Sequence, residues 1–203
     1  MLKKIINIIK PLLPKNRIMD EIKWRLKNKP VPPPHFIKQR IIRGYAKKFA
    51  IKEFVETGTY LGSTVEAVKN VFEEIYSVEI DRLLFKKARD RFANYQHIQI
   101  LQGDSSKILP LILEKLNATT LFWLDGHYSG GDSSKGDQNT PILKELELIL
   151  NHRIKNHIIL IDDARCFTGK DDYPTLIKVQ SFLKKIRPEL IFQIRDDIIR
   201  IMP

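Results

Sequence analysis

The sequence predicts an α/β fold with a doubly wound, mostly parallel sheet, and three observations support this fold class. Short apolar runs of strand length alternate with longer amphipathic stretches between residues 53 and 186. Parallel neighbouring strands need a crossover connection, and that connection is usually a helix. The final segment, "LIFQIRDDIIRIMP", differs because it indicates two strands joined directly at Asp196 and Asp197, as in a C-terminal antiparallel hairpin.

Five apolar runs are predicted to form the parallel strands, and each precedes a predicted helix. The runs are "EFVETG" (53–58), "EIYSVEID" (74–81), "IQILQGD" (98–104), "TLFWLDG" (120–126) and "HIILIDDA" (157–164). The helices are predicted over "STVEAVKNVF", "RLLFKKARDRFANY", "SSKILPLILEKL", "TPILKELELIL" and near "PTLIKVQSFLKKI". Thr140 and Pro141 suit the start of the fourth helix. Upstream, the helical spacing of Ile37, Ile41 and Ile42 predicts a helix that leads into the sheet.

Length and composition indicate one globular domain with an N-terminal arm. A chain of 203 residues, 43% hydrophobic and 29% charged, can bury a substantial core and does not have the composition of a disordered protein. No apolar run reaches the roughly 18 residues typical of a membrane span. The single cysteine, Cys166, cannot form an internal disulfide, and no cleavable signal pattern opens the chain. We therefore expect a cytoplasmic protein.

The positive charge lies almost entirely in the first quarter of the chain. The net charge is +11; residues 1–50 hold 14 of the 35 Lys and Arg residues and 2 of the 24 Asp and Glu residues. Residues 1–50 thus carry +12, and the remainder is nearly neutral at −1. The stiff, proline-rich "VPPPHF" (31–36) predicts a boundary between a basic arm with its connector, 1–34, and a domain, 35–203.

The basic N-terminal helical arm leaves several functions open. Ile, Leu and Trp24 alternate there with Lys and Arg, while Pro11 and Pro14 interrupt any continuous helix. Its apolar side can pack on the domain, or the arm can lie peripherally on an anionic membrane surface or bind an acidic partner. It lacks the dense mixture of aromatic residues and arginine expected of a nucleic-acid groove. The sequence leaves the oligomeric state open, a homo-oligomer included.

The first predicted strand ends in a glycine-containing turn. In "VETGTYLGST" (55–64), Gly58 and Gly62 allow tight turning and bring backbone N–H groups near a ligand, and the following helix N-terminus favours negative charge. Many strand-to-helix turns use glycine, so this motif alone is weak evidence. In doubly wound sheets, however, ligands bind at the carboxyl ends of the strands.

The next two strand ends also offer polar groups. Glu79, near the tip of "YSVEID", can accept hydrogen bonds from both hydroxyls of a ribose. The alternative role, an acid that starts a helix, suits Asp81 better. Asp104 and Ser105 in "GDSS" can meet an adenine edge or cap the next helix. Together the three strand ends predict a path for an adenosine.

The motifs "VETGTYLGST", "YSVEID", "QGDSSKILP", "FWLDGHYS" and "ILIDDA" resemble, in order and spacing, those of class I S-adenosylmethionine-dependent methyltransferases. The chain is most similar to cation-dependent O-methyltransferases of the catechol and macrolide-sugar kinds, over roughly residues 37–203. The resemblance implies a Rossmann-like methyltransferase fold with S-adenosylmethionine as cofactor. It also implies ten cofactor-binding positions, which are Glu56, Gly58, Tyr60, Gly62, Ser63, Thr64, Glu79, Asp104, Ser105 and Asp125.

Three acids and one histidine carry the chemistry that the resemblance implies. Asp125, Asp162 and Asp163 match the metal-binding positions, and three converging carboxylates need a positive charge such as Mg²⁺. His127 stands where the sugar enzymes have a general-base carboxylate, so Asp125 and His127 are the predicted catalytic residues. In the alternative, Asp162 and Asp163 only cap the next helix and His127 bonds its own loop. The chain departs from the catechol kind in having Asp163 in place of an amide and in lacking that kind's lysine base.

The predicted function is methyl transfer from S-adenosylmethionine to a hydroxyl of a small molecule, such as a sugar or glycoconjugate precursor, with Mg²⁺. Two alternatives stay open. One is a metal-independent methyltransferase, and the other is a non-catalytic, membrane-associated module that keeps the fold.

Overall fold

Seven strands form one sheet in the part of the chain that the computed structural model describes, residues 17–126 and 140–203. They are β1 (Glu53–Thr57), β2 (Glu74–Glu79), β3 (Ile98–Gln102), β4 (Thr120–Leu124), β5 (Ile158–Ile161), β6 (Ile191–Arg195) and β7 (Ile198–Met202). Their order across the sheet is β3-β2-β1-β4-β5-β7-β6. The first five pair in parallel, while β7 is antiparallel to both β5 and β6. The predicted doubly wound, mostly parallel sheet with a C-terminal hairpin is confirmed.

Helices cover both faces of this sheet. They are α1 (Arg17–Leu26), α2 (His35–Lys48), α3 (Ser63–Val68), α4 (Arg82–Phe92), α5 (Ser105–Lys115), α6 (Ile142–Asn151) and α7 (Leu176–Ile186). Because side chains alternate along a strand, Phe54 and Val55 of β1 enter different apolar clusters. The cluster around Phe54 includes residues of α2, α3 and α4, and the cluster around Val55 includes residues of α5, α6 and α7. The result is the three-layer arrangement typical of a doubly wound fold.

The predicted helices and strands all occur, and the differences lie at their ends. Helix α3 stops at Val68 instead of residue 72, because the chain turns there to bring the Glu73 N–H to the Lys52 carbonyl, at 2.8 Å. A short 3-10 turn at Ala164–Cys166 was not predicted. Asp196 and Asp197 make the β6–β7 turn with φ of 54° and 60°, a left-handed conformation that short polar side chains tolerate.

Helix α1 packs partly against the rest of the chain. The Trp24 ring is buried, and its Nε1 donates to the Pro30 carbonyl at 2.9 Å. Lys29 forms an ion pair with Asp196 of the hairpin at 3.1 Å, while Leu26 is exposed. Packing of the apolar side of the arm on the domain stays a prediction.

The remaining predictions for the arm concern residues 1–16, which lie outside the described residues, so its membrane or partner contact stays a prediction. The division of the chain at residue 34 also stays a prediction; α2 begins next to it, with Pro34 as its N-cap. Among the helices in 17–126 and 140–203, none combines the length and apolar character needed to cross a bilayer.

Two histidines form a buried chain of hydrogen bonds at the amino edge of the sheet, opposite the strand ends discussed above. The Thr120 N–H donates to His157 Nδ1 at 3.1 Å, which makes this nitrogen an acceptor and places the proton on Nε2. His157 Nε2 lies 2.8 Å from His152 Nδ1, and His152 Nε2 lies 2.9 Å from the Leu113 carbonyl. Each contact is satisfied when both rings are neutral. Burial lowers the pKa of both histidines, that of His157 to about 4.

Candidate active site

The turn after β1 lies directly against the end of β4. The Gly58 N–H donates to the Val78 carbonyl at 2.9 Å, and the Asp125 N–H donates to the Thr57 carbonyl at the same distance. Gly58 has φ +94°, and a Cβ placed on it would lie 2.5 Å from the Asp125 carbonyl oxygen. Only glycine fits this position without displacing backbone. The requirement for Gly58 therefore arises from its contact with Asp125.

Gly62 is the second glycine that this turn requires. It is the N-cap of α3 with φ 70°, and a Cβ there would lie 2.7 Å from the Phe92 ring. Arg91 Nη1 donates to the Leu61 carbonyl at 2.8 Å, so α4 holds the turn from outside. Tyr60, with φ 48°, lies within the turn and is more than half exposed. The segment from Gly58 to Gly62 is thus fixed between β2, β4 and α4.

Glu79 is buried at the end of β2 and faces this turn. Its Oε2 accepts from the Tyr60 N–H at 2.6 Å, and its Oε1 accepts from the Asp81 N–H at 2.9 Å. Burial raises the pKa of Glu79 above its ordinary value. Asp81, not Glu79, caps α4, since its Oδ1 accepts from the N–H groups of Leu83 and Leu84. Each carboxylate oxygen of Glu79 keeps further acceptor capacity, which fits a pair of ribose hydroxyls.

Glu56 is fully enclosed below the glycine turn. It accepts from Ser77 Oγ at 2.6 Å and is hydrogen-bonded to the Thr64 side chain at the start of α3. Burial raises the pKa of Glu56 to about 8, and the charges of Asp125 and Glu79 add to this effect. A cationic group brought next to Glu56 would stabilise the ionised form of its carboxyl group.

The third strand end supplies Ser105, which is buried, and Asp104. Asp104 Oδ1 accepts from the Ser106 N–H at 2.9 Å and from Ser106 Oγ at 2.7 Å, so Asp104 caps α5. The structure therefore shows Asp104 in the second of its two predicted roles, as a helix cap. An adenine contact by Asp104 or Ser105 stays a prediction.

Three carboxylates converge where β4 and β5 end. Asp125, Asp162 and Asp163 each offer an oxygen, and these oxygens all lie within 4.8 Å of one another. Asp162 is almost fully buried, and Asp163 has φ 54° in the left-handed region. Burial, followed by repulsion from Asp125 and Asp163, raises the pKa of Asp162. The Asp163 side chain makes no capping bond to the following 3-10 turn, although capping was the alternative role considered for it.

Two cations of the chain bind this cluster of three carboxylates. Lys38 of α2 contacts Asp162 Oδ2 closely and lies 3.2 Å from Asp163 Oδ1. Arg165 Nη1 binds Asp163 Oδ1 at 2.8 Å and also contacts Asp197. Burial alone would lower the pKa of Lys38, but the charges of Asp162, Asp163 and Asp125 raise it, so the amine is an ammonium ion. The acids are therefore already in contact with positive charge.

The structure brings most of the predicted site residues to one edge of the sheet. The turn at 58–64, Glu56, Glu79 and Asp125 lie together there, with Asp162 and Asp163 beside Asp125. Their roles toward a cofactor or metal stay predictions. His127 and the loop 128–139 lie outside the described residues, so the predicted base is not placed.

Sequence reasoning missed Lys38 and its neighbour Gln39. Gln39 Nε2 donates to the Ser63 carbonyl at the start of α3, at 3.1 Å. Both residues lie on α2, which the sequence predicts only as a helix that leads into the sheet. No local pattern in the sequence identifies the partner of Lys38, because Asp162 lies 124 residues further along the chain.

Comparison with known proteins relates this geometry to one fold. No protein-family model matches the chain, and no curated protein matches it in sequence. Among solved structures, the O-methyltransferase TomG from Streptomyces achromogenes, in complex with S-adenosylmethionine, superposes with a TM-score of 0.59 over 97% of this chain and 93% of its own, at 13% identity. The chain has the methyltransferase fold.

Two further structures of this fold contain S-adenosylhomocysteine. The O-methyltransferase from Bacillus cereus gives a TM-score of 0.60 at 12% identity, covering 97% of this chain and 96% of its own. The Podospora anserina methyltransferase PaMTH1 gives a TM-score of 0.60 at 16% identity, covering 94% and 97%. The predicted resemblance to O-methyltransferases is confirmed at the level of the fold, which is what a likeness at these identities shows.

Proposed function

We propose that this protein transfers the methyl group of S-adenosylmethionine to a hydroxyl group of a small molecule. The observation that carries the proposal is the contact between the Gly58 turn and Asp125, because it places the glycine turn at the end of β1 next to a cluster of acids. Glu79 would accept hydrogen bonds from the ribose, and Glu56 would receive the positively charged amino group of the cofactor. The sulfonium methyl is already activated, so the protein's main contribution is to align it with the acceptor oxygen.

The acceptor is proposed to be a sugar or a glycoconjugate precursor, which rests on the sequence resemblance alone. His127 is proposed, also from sequence, as the base that takes the hydroxyl proton. The donor set at Asp125, Asp162 and Asp163 fits Mg²⁺, since it consists only of carboxylate oxygens. When bound, the ion would make the acceptor hydroxyl more acidic. These three acids would hold the ion.

A second candidate, methyl transfer without a metal, is favoured by one specific observation. Lys38 already contacts two of the three acids, so its ammonium group partly neutralises the cluster without a metal ion. The two candidates differ in their response to chelation. Turnover that is unchanged in EDTA would support the metal-free candidate, and turnover that is lost in EDTA and restored by Mg²⁺ would support the metal-dependent one.

Cofactor binding is the first test of the proposal. Glu79→Gln keeps the shape of the side chain but removes its charge, and a hydrogen bond to a charged group contributes about 1.5–3 kcal/mol. We therefore expect calorimetry to show S-adenosylmethionine binding about 10- to 100-fold more weakly to this variant. Glu74→Gln is the matched control, because Glu74 lies at the opposite end of the same strand. Equal affinity of both variants would contradict the assignment of Glu79 to the ribose.

The acceptor requires a screen. Radiolabelled methyl from S-adenosylmethionine should appear on hydroxylated compounds in a panel of sugars, nucleotide sugars and phenols, and not on their deoxy analogues. Label transferred only to amines would overturn the proposal of O-methylation while leaving the cofactor assignment intact.

A further inference from the structure

Lys38 places its ammonium group inside the cluster formed by Asp125, Asp162 and Asp163. Its side chain is 12% exposed, and it reaches Asp162 and Asp163 from α2. These two carboxylates are among the three that would hold a divalent ion. We propose that Lys38 is a built-in competitor of that ion, so that a divalent cation binds the cluster only when Lys38 has left it. This inference rests on the metal site of the proposed function.

Lys38 occupies acceptor positions on two of the three carboxylates of the cluster. Asp162 Oδ1 accepts from the Asp163 N–H at 2.8 Å, and Asp162 Oδ2 is bonded to Lys38. Asp163 Oδ1 is shared between Lys38 and Arg165. A divalent ion beside these oxygens would also be repelled by the ammonium. The backbone N–H is fixed by the chain, so the lysine side chain is the partner that an ion most readily displaces.

Helix α2 does not depend on the Lys38 contact for its position. Ile42 and Ala46 are buried in the apolar cluster around Phe54, Ile37 is also buried, and Gln39 donates to the Ser63 carbonyl. The Lys38 head group is carried on a flexible four-carbon stem, so it can leave the acids without movement of the helix. The substitution Lys38→Met keeps much of the stem and removes the charge. This variant is expected to fold, which a urea unfolding curve verifies.

Direct measurement of Mn²⁺ binding tests the competition without any assay of activity. Mn²⁺ prefers the same oxygen ligands as Mg²⁺ and is observed by electron paramagnetic resonance. The measurement compares wild type, Lys38→Met, Lys38→Arg and Lys47→Met at one pH, without cofactor. Lys47 is the matched control, because it is an exposed lysine on the same helix. We expect Lys38→Met to bind Mn²⁺ about tenfold more tightly than wild type, or more, since a charged hydrogen bond to the acids no longer competes.

The control variants complete the expected pattern. Lys38→Arg retains a competing charge and should bind Mn²⁺ about as weakly as wild type. Lys47→Met should differ from wild type by less than about threefold, because exposed charges act weakly over distance.

Four outcomes would overturn the inference. They are equal affinity of wild type and Lys38→Met, weaker binding by Lys38→Met, an equal gain in Lys47→Met, and no Mn²⁺ binding by any variant at millimolar concentration. The proposed function is tested by a different measurement: it fails if the wild-type protein does not bind S-adenosylmethionine. Intact cofactor binding together with an unchanged Mn²⁺ affinity in Lys38→Met would therefore remove the role of Lys38 alone.

Discussion

Replacing Gly58 by alanine should damage the site and the fold together, because the new methyl group would meet backbone. A Cβ at this position would lie 2.5 Å from the Asp125 carbonyl oxygen and 2.8 Å from its carbonyl carbon. Neither atom can withdraw freely, since the Asp125 N–H is bonded to the Thr57 carbonyl at 2.9 Å. In addition, φ is +94°, a conformation that alanine adopts only with strain.

The size of the effect follows from these two causes. A residue with a Cβ at positive φ costs about 1–2 kcal/mol, and overpacking against a rigid neighbour costs about 1–3 kcal/mol more. The free energy of unfolding of Gly58→Ala should therefore fall by about 2–5 kcal/mol, a large part of the 5–15 kcal/mol typical of a domain. Gly44, within α2, has nothing within 4 Å of its Cβ position. Gly44→Ala should raise the free energy of unfolding by about 0.5–1 kcal/mol, because alanine is the better helix residue.

The same chemical change is thus expected to have opposite signs at the two positions. Urea unfolding followed by the fluorescence of Trp24 and Trp123, both buried, measures each change. Calorimetry with S-adenosylmethionine should show a loss of affinity in Gly58→Ala and none in Gly44→Ala. If Gly58→Ala were as stable as wild type, the glycine turn would not lie against Asp125, and the geometry that carries the proposed function would be wrong.

Three further predictions concern other contacts. The pKa of His157 is lowered to about 4 in the folded protein, so as the pH falls the unfolded chain protonates this histidine before the folded chain does. The contribution of His157 to the free energy of unfolding should therefore be fully present above the ordinary pKa of 6.5. It should fall by about 2–3 kcal/mol as the pH drops toward 4. The variant His157→Gln should lose most of this dependence in urea unfolding at several pH values, and an unchanged dependence would contradict the assignment. If the amino group of the cofactor lies beside Glu56, binding near neutral pH should release up to about one proton, seen as a buffer-dependent heat that Glu56→Gln abolishes. Finally, Arg91→Met should weaken cofactor binding about 3- to 10-fold, because it removes the hydrogen bond to the Leu61 carbonyl. Arg89→Met on the same helix should leave cofactor binding unchanged. Equal effects of the two substitutions would show that the positive charge of the helix, and not the bond to Leu61, affects the cofactor.

The sheet and the positions of its strand ends could be predicted from sequence because both depend on local patterns. An apolar run followed by a carboxylate, as at Leu124 and Asp125, indicates a buried strand and its exit, and the parallel arrangement then brings all such exits to one edge. The position of the turn at Asp196 and Asp197 was predictable from the two apolar runs that flank it, whereas its left-handed conformation was not predicted. The ends of helices were less predictable. Helix α3 ends at Val68 because the chain turns to bring the Glu73 N–H to the Lys52 carbonyl, and no local pattern reveals this bond.

The contents of the site were only partly predictable, because long-range packing decides which groups meet. Glu79 could be separated from Asp81 in the sequence by asking which acid suits a helix cap, and the structure agrees. Lys38 could not be assigned in this way. Its pairing with Asp162 depends on where α2 crosses the sheet. That position is set by apolar contacts such as those of Ile42 in the cluster around Phe54.

The uneven charge of the chain is partly explained by ion pairs between its basic first quarter and acids in the remainder. The charge of +12 on residues 1–50, beside a remainder at −1, suggested an anionic surface or an acidic partner. In the described residues, however, Lys29 binds Asp196, and Lys38 binds Asp162 and Asp163, so the remainder of the chain is itself an acidic partner at two places. A nearly neutral sum conceals this, because Asp162, Asp163 and Asp196 each follow the end of a strand and meet lysines of residues 1–50. Any partner that draws Lys38 away from Asp162 and Asp163 would therefore change the charge at the candidate active site.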